Sequence, residues 1–105
     1  MSELLGKFKL EGKVAIITGG AGLLGYQHAE AIAEVGGTPI LWDINSDEVL
    51  SKATELEKKY KTGCEGMTVD ITDSNSIKKA TDDILLKHQQ INILINNAAN
   101  DPKAT

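Results

Sequence analysis

The segment Thr18-Gly19-Gly20-Ala21-Gly22-Leu23-Leu24-Gly25 concentrates glycines where a chain could meet a phosphate. A pyrophosphate needs bare backbone N–H groups and a helix N-terminus aimed at it, and a side chain at the closest approach would block that contact. Gly19 and Gly20 suit a tight turn, Gly22 suits close approach, and Gly25 suits packing of a helix against the strand before it. A glycine-rich turn without a ligand would have the same composition, so the context has to decide. Asp43 supplies part of it. An acidic residue about 20 positions after such glycines can accept hydrogen bonds from the hydroxyls of an adenosine ribose. The same carboxylate would repel a 2′-phosphate, so NAD is the expected cofactor in preference to NADP. A solvated aspartate at a strand end is the plain alternative.

Two further segments are open on chemistry alone. Asp70, in Val69-Asp70-Ile71-Thr72-Asp73, could bind the exocyclic amine of adenine or only help cap the helix that follows. Asn96-Asn97-Ala98-Ala99 could leave room for a ribose while its Asn side chains tie loop backbone, or could be a simple strand-to-loop turn. The histidines read as structural: His28 follows the glycine loop in a surface or packing position, and His88 closes a helix, where a cation suits the dipole. Cys64 is the single cysteine, which rules out an internal disulfide and a multi-cysteine metal site, and it reads as a small apolar residue opening a strand. No metal-ligand constellation is evident.

These residues are positioned by alternating apolar runs and helical periods. Val14–Thr18 reads as a parallel strand buried on both faces. A helix over Leu24–Val35 follows, stopped by Gly36-Gly37, and Pro39–Ile44 forms the second strand, with Trp42 pointing away from Asp43 into core. Asn45 or Ser46 caps a second helix with Val49, Leu50, Ala53, Leu56 and Tyr60 on one side, ended by Gly63. Cys64–Val69 is a third strand. Thr72 or Asp73 caps a third helix with the stripe Ile77, Ala80, Ile84 and Leu85, and Ile91–Ile95 is a fourth strand. The order β-α-β-α-β-α-β predicts an α/β fold: a Rossmann-type doubly wound parallel sheet of about four strands, order 3-2-1-4, with helices on both faces.

Composition narrows the partners. At 105 residues the chain supports a single domain, here a partial dinucleotide-binding one, with a modest core. A net charge of −4 with lysines scattered among acids argues against nucleic acid and anionic membrane. No apolar run approaches the ~20 residues of a membrane span. The first ten residues lack a signal-peptide core, so the expected location is cytoplasmic.

Taken in order, Leu10-Glu11-Gly12-Lys13-Val14-Ala15-Ile16-Ile17-Thr18-Gly19, Asp43, Asp70-Ile71-Thr72-Asp73 and Asn96-Asn97-Ala98-Ala99 resemble the short-chain dehydrogenase/reductase family across nearly the whole chain. The resemblance implies NAD(P) at the carboxyl ends of the strands. It implies Gly19, Gly22, Leu23, Leu24 and Gly25 at the pyrophosphate, Asp43 on the adenosine ribose, Asp70 and Ile71 at adenine, and Asn97, Ala98 and Ala99 beside the cofactor. One departure is the glycine spacing. Common short members place glycines one, five and seven residues after the threonine, whereas here Leu23 holds the fifth place and the middle glycine is Gly22. That spacing is similar to the longer, sugar-nucleotide-modifying members; the Asn-Asn-Ala-Ala segment is similar to the short ones. The mixture resembles a subgroup of oxidoreductases linked to flagellin modification and nonulosonic sugars.

The family's acid/base is a tyrosine with a lysine four residues later, which lowers the phenol's pKa toward neutrality. Tyr26 is followed at that spacing by Glu30 and Tyr60 by Cys64, so no catalytic residue is assigned here. The expectation is the cofactor-binding part of an oxidoreductase that moves hydride between NAD and an alcohol or carbonyl carbon. The alternatives are a non-catalytic dinucleotide-binding module and a fragment of a sugar-nucleotide epimerase or dehydratase. With four strands the last would be a bare apolar edge, so a homo-oligomer through that edge is also expected.

Overall fold

The computed structural model describes residues 9–98. Four strands and three helices alternate: β1 (Val14–Thr18), α1 (Leu23–Glu34), β2 (Thr38–Asp43), α2 (Ser46–Tyr60), β3 (Glu65–Thr68), α3 (Ser74–His88) and β4 (Ile93–Ile95). The sheet is parallel throughout, in the order β3-β2-β1-β4. This is the predicted doubly wound arrangement. The apolar run of β1 is buried at all five positions because helices cover both its faces.

Alternation along the strands divides the core in two. Ala15, Ile17 and Leu41 face α1 and α2, where they meet Ala29, Val49, Ala53 and Leu56. Val14, Ile16, Ile40 and Trp42 face the other way and pack on Ala80 and Ile84 of α3. Trp42 therefore lies in core, on the side predicted for it. Pro39 fits the interior strand β2 for a local reason. Thr38 N donates toward β1, to Lys13 O, so the next nitrogen points to the opposite side, where pairing with β3 begins only at Ile40. No ladder bond is lost there.

Several boundaries and stripes differ from expectation. Leu50 and Leu85 are 53% and 43% exposed, because each lies one residue, about 100° of helix rotation, beyond the buried rows of Val49, Ala53 and Leu56 and of Ala80 and Ile84. Helix α2 does not run to Gly63; it ends at Lys61, a lysine in the left-handed conformation at φ 56°. Asn45 is its N-cap, accepting from Glu48 N at 3.1 Å, and Asp73 caps α3, accepting from Asn75 N at 2.9 Å. Strand β4 is shorter than predicted, since Asn92 pairs both its backbone N–H and its side-chain Oδ1 with Val14 before the ladder starts. It lies at the sheet edge with Leu94 63% exposed.

Glu65 joins the outer strand to the end of α3. Its Oε2 lies 2.7 Å from His88 Nε2 and 3.0 Å from Lys87 Nζ. Burial raises the Glu65 pKa, but the hydrogen bonds from Lys87 and His88 outweigh it and hold the carboxyl below its ordinary value. A carboxylate depressed in the folded state stabilises it above the unfolded pKa and loses that contribution as pH falls through the folded pKa. Thermal melts from pH 7 to pH 3 should show stability falling below about pH 4.5, with a smaller fall in Glu65→Gln. Identical profiles for the two proteins would show that this cluster contributes nothing to acid sensitivity.

Candidate functional site

The site begins where β1 ends. The chain reverses through Gly19, at φ +66°, and α1 starts at Leu23 with Gly22 as its N-cap. Two consecutive amides hang this turn on the end of β2: Gly20 N donates to Trp42 O at 3.0 Å, and Ala21 N to Asp43 Oδ2 at 3.1 Å. The first helical bond of α1 runs from Tyr26 N to Gly22 O. The amides of Leu23, Leu24 and Gly25 thus have no intrahelical acceptor, and no side chain caps them, in contrast to α2 and α3. Leu23 and Leu24 are themselves largely exposed.

The glycines of the turn are required for different reasons. A Cβ on Gly25 would overlap the Gly19 carbonyl oxygen, and one on Gly20 would lie 2.6 Å from Leu41 Cβ. Gly25 therefore packs against the turn itself rather than against β1 as expected. Gly22 is different. Its backbone is extended, at φ −79° and ψ 170°, and a Cβ there would meet only Gly19 O at an ordinary 3.4 Å.

Beside the turn, a cleft of about 250 Å³ opens over the carboxyl ends of β1, β2 and β3. Gly19, Asp43, Asp70, Ile71 and Ala98 line it, together with Trp42, Ile44, Val69 and Thr72. Asp70 does not cap α3. Its Oδ1 accepts from Thr72 N at 2.9 Å and from Thr72 Oγ1 at 2.6 Å, and these bonds hold its carboxyl below the usual carboxylate range. The segment after β4 closes the far side. Asn97 Nδ2 lies 3.4 Å from Gly19 O, and Ala98 N donates to Thr18 Oγ1 at 3.0 Å. Ala99 lies outside the described residues.

The predicted residues other than Asn97 and Ala99 thus fall into two adjoining groups that share Gly19: the cleft with Asp43, Asp70, Ile71 and Ala98, and the helix start with Gly22, Leu23, Leu24 and Gly25. Asn97 does not line the cleft and meets the turn at Gly19 O instead. Sequence reasoning missed Thr18 as a positioning group. Its hydroxyl, on a residue 4% exposed, accepts from Ala98 N and lies 3.2 Å from Asn96 Oδ1, which locks the β4 segment against the turn. Its place immediately before Gly19 was the available signal. Trp42, expected only in core, also lines the cleft, as do Ile44, Val69 and Thr72, which adjoin the named Asp43, Asp70 and Ile71 in the chain but carry no charge that marks them in sequence.

Other reactive side chains lie elsewhere. Tyr26 donates to Glu55 Oε2 at 2.6 Å and Tyr60 to Glu30 Oε2 at 3.0 Å, on the face where α1 meets α2. Burial and these carboxylates raise both phenol pKa values, the wrong direction for proton transfer near neutrality. Burial, with Glu57 and Glu65 nearby, pushes the Cys64 thiol up to about 12, which leaves it unreactive. His28 is exposed on α1. Among the described residues no cluster of His, Cys, Asp or Glu is placed to hold a metal ion, and no helix is long and apolar enough to cross a membrane.

A parallel sheet with a glycine turn, an uncapped helix start and acidic groups at the strand ends defines a Rossmann-type nucleotide-binding class. Comparison with known proteins narrows it. The family model for short chain dehydrogenases matches residues 13–105, and this chain belongs to that family. It is 41% identical over 90 residues to a short chain dehydrogenase/reductase of Gibberella zeae, a match covering 86% of this chain and 33% of the relative. The fold superposes on NAD+-bound xylitol dehydrogenase with a TM-score of 0.82 at 26% identity, covering 87% of this chain and 35% of that one. It superposes on the L-sorbose reductase of Gluconobacter frateurii, in complex with NADPH and L-sorbose, with a TM-score of 0.83 at 26% identity, covering 88% and 35%. The chain spans about a third of the length of the relatives it matches.

The contrast between the glycines is testable by thermal unfolding. Gly25→Ala forces a backbone oxygen to move and should cost about 2–3 kcal/mol. Gly22→Ala meets no such obstacle and should cost within about 1 kcal/mol, the penalty of alanine at an N-cap. Equal losses would overturn the separate roles.

Proposed function

We propose that this chain forms the adenosine- and pyrophosphate-binding part of a nicotinamide-dependent oxidoreductase. The observation that carries this reading is the start of α1. Gly22 is a glycine that the fold does not require, and it adjoins three backbone amides without intrahelical acceptors. A ligand approaching the backbone accounts for both features. An anion there would be held by the amides of Leu23, Leu24 and Gly25 and the positive end of the helix. Gly19 forms the turn beneath it. Asp43 would accept from the adenosine ribose hydroxyls, and Asp70 and Ile71 would flank adenine in a cleft whose lining is mostly apolar. Asn97, Ala98 and Ala99 would lie beside the remainder of the cofactor.

The bound nicotinamide would give or take a hydride at an alcohol or carbonyl carbon. The sequence residues assigned to this chain hold the cofactor, and both tyrosines are engaged by carboxylates away from the strand ends. We further propose that NAD is preferred over NADP. The similar structures were solved with one or the other, so the preference rests on the Asp43 carboxylate, which would oppose a 2′-phosphate. Finally, the exposed Leu94 on edge strand β4 supports self-association of these 105 residues through that edge.

Calorimetric titration tests the cofactor reading. NAD should bind more tightly than NADP by about tenfold or more, the equivalent of about 1.4 kcal/mol, and Gly22→Val should abolish binding while the protein stays folded. Equal affinity for the two cofactors would remove the preference, and undiminished binding by Gly22→Val would remove the assigned phosphate position. For the edge, sedimentation at micromolar concentration should show a dimer or larger species that Leu94→Lys converts to monomer. A monomer in the parent protein would end the oligomer proposal.

A further inference from the structure

The hydrogen bonds around Asp43 give it more to do than recognise a ribose. Its Oδ2 accepts from Ala21 N at 3.1 Å, and its Oδ1 accepts from Asn45 N at 3.1 Å. Ala21 is the residue between Gly20 and Gly22, and its methyl is buried in the core shared by α1 and α2. Asn45 is the N-cap of α2. One carboxylate thus joins the glycine turn, the end of β2 and the start of α2. The bond at Ala21 also continues the one before it: Gly20 N to Trp42 O, then Ala21 N to Asp43 Oδ2. Together they set where the turn leaves the sheet, and with it the direction in which the amides of Leu23, Leu24 and Gly25 point.

We infer that Asp43 is a positioning residue for the pyrophosphate turn, acting through Ala21 N, in addition to any contact with ribose. This inference rests on the dinucleotide reading above. Each carboxylate oxygen has a second lone pair, so the backbone bonds and ribose hydroxyls can be accepted together. The physical consequence is a coupling between the two halves of the site. Replacing Asp43 to admit a 2′-phosphate would also loosen the backbone that receives the pyrophosphate.

Two roles for Asp43 predict opposite signs with a ligand that has no ribose hydroxyls. The probe is 2′,3′-dideoxy-ADP, compared with ADP, titrated into the parent protein, Asp43→Ala and Asp43→Asn. If Asp43 serves ribose alone, Asp43→Ala binds the dideoxy probe as well as the parent does or better, because a negative charge near a diphosphate has gone. If Asp43 positions the turn, Asp43→Ala binds the dideoxy probe about tenfold or more weakly, the scale of a lost hydrogen bond to a charged group. Asp43→Asn, which keeps one accepting oxygen, should recover part of that loss. Equal or tighter binding of the dideoxy probe by Asp43→Ala overturns the inference.

Backbone amide hydrogen exchange provides a readout without ligand. Asp43→Ala should speed exchange at Ala21 while the amides of the β1 strand stay protected, and Asp43→Asn should fall between the two. Unchanged exchange at Ala21 overturns the positioning role. Failure of the parent protein to bind ADP would count against the dinucleotide reading instead, and the exchange measurement would still decide whether Asp43 holds the turn.

Discussion

The approach of Gly25 to the carbonyl of Gly19 is the constraint on which the rest of the site depends. Strand β1 is buried on both faces, so the chain that leaves it has little lateral freedom. To start a helix at once, it must turn through a left-handed residue and bring the first turn of α1 onto its own preceding backbone. Only a residue without Cβ fits at Gly25. That contact makes the turn tight enough to present α1's first amides at the end of the sheet, where β2 and β3 also end and the segment after β4 begins.

The turn is then held by its neighbours through polar contacts on both sides. Trp42 O and the Asp43 carboxylate take two of its amides from the β2 side. From the β4 side Asn97 Nδ2 reaches Gly19 O, and Ala98 N donates to the hydroxyl of Thr18 just before the turn. Thr18 is almost wholly buried, so its hydroxyl needs partners, and Ala98 N supplies a donor. The bonds that satisfy backbone and side-chain groups are thus the same ones that define the walls of the cleft.

Much of this was legible in the one-dimensional pattern. The β-α alternation implied a parallel sheet with crossovers of one hand, and the doubly wound dinucleotide-binding pattern then gave the strand order. Asp43 and Asp70 could be named because they end apolar runs, and strand ends converge on one edge of such a sheet. Thr18 was missed because its value depends on Ala98, some 80 positions away in the chain. Leu50 and Leu85 were misplaced because a helical stripe read from sequence has a width of about 100°. Which side of that stripe is covered depends on how far each helix lies from its neighbours.

By itself, the sequence determined the class of fold, the position of the glycine turn and the candidate acidic residues, since these follow from residue type and local period. Only the tertiary structure decided what each glycine is for. Gly20 and Gly25 are demanded by contacts with Leu41 and Gly19, while Gly22 is not demanded by any contact of comparable closeness. It also decided that Asp43 takes the Ala21 amide and that Asp73, not Asp70, caps α3. The reason is the same in each case. Steric clash and hydrogen bonding act over about 3 Å, and which atoms come that close is set by strand pairing and helix packing between distant parts of the chain.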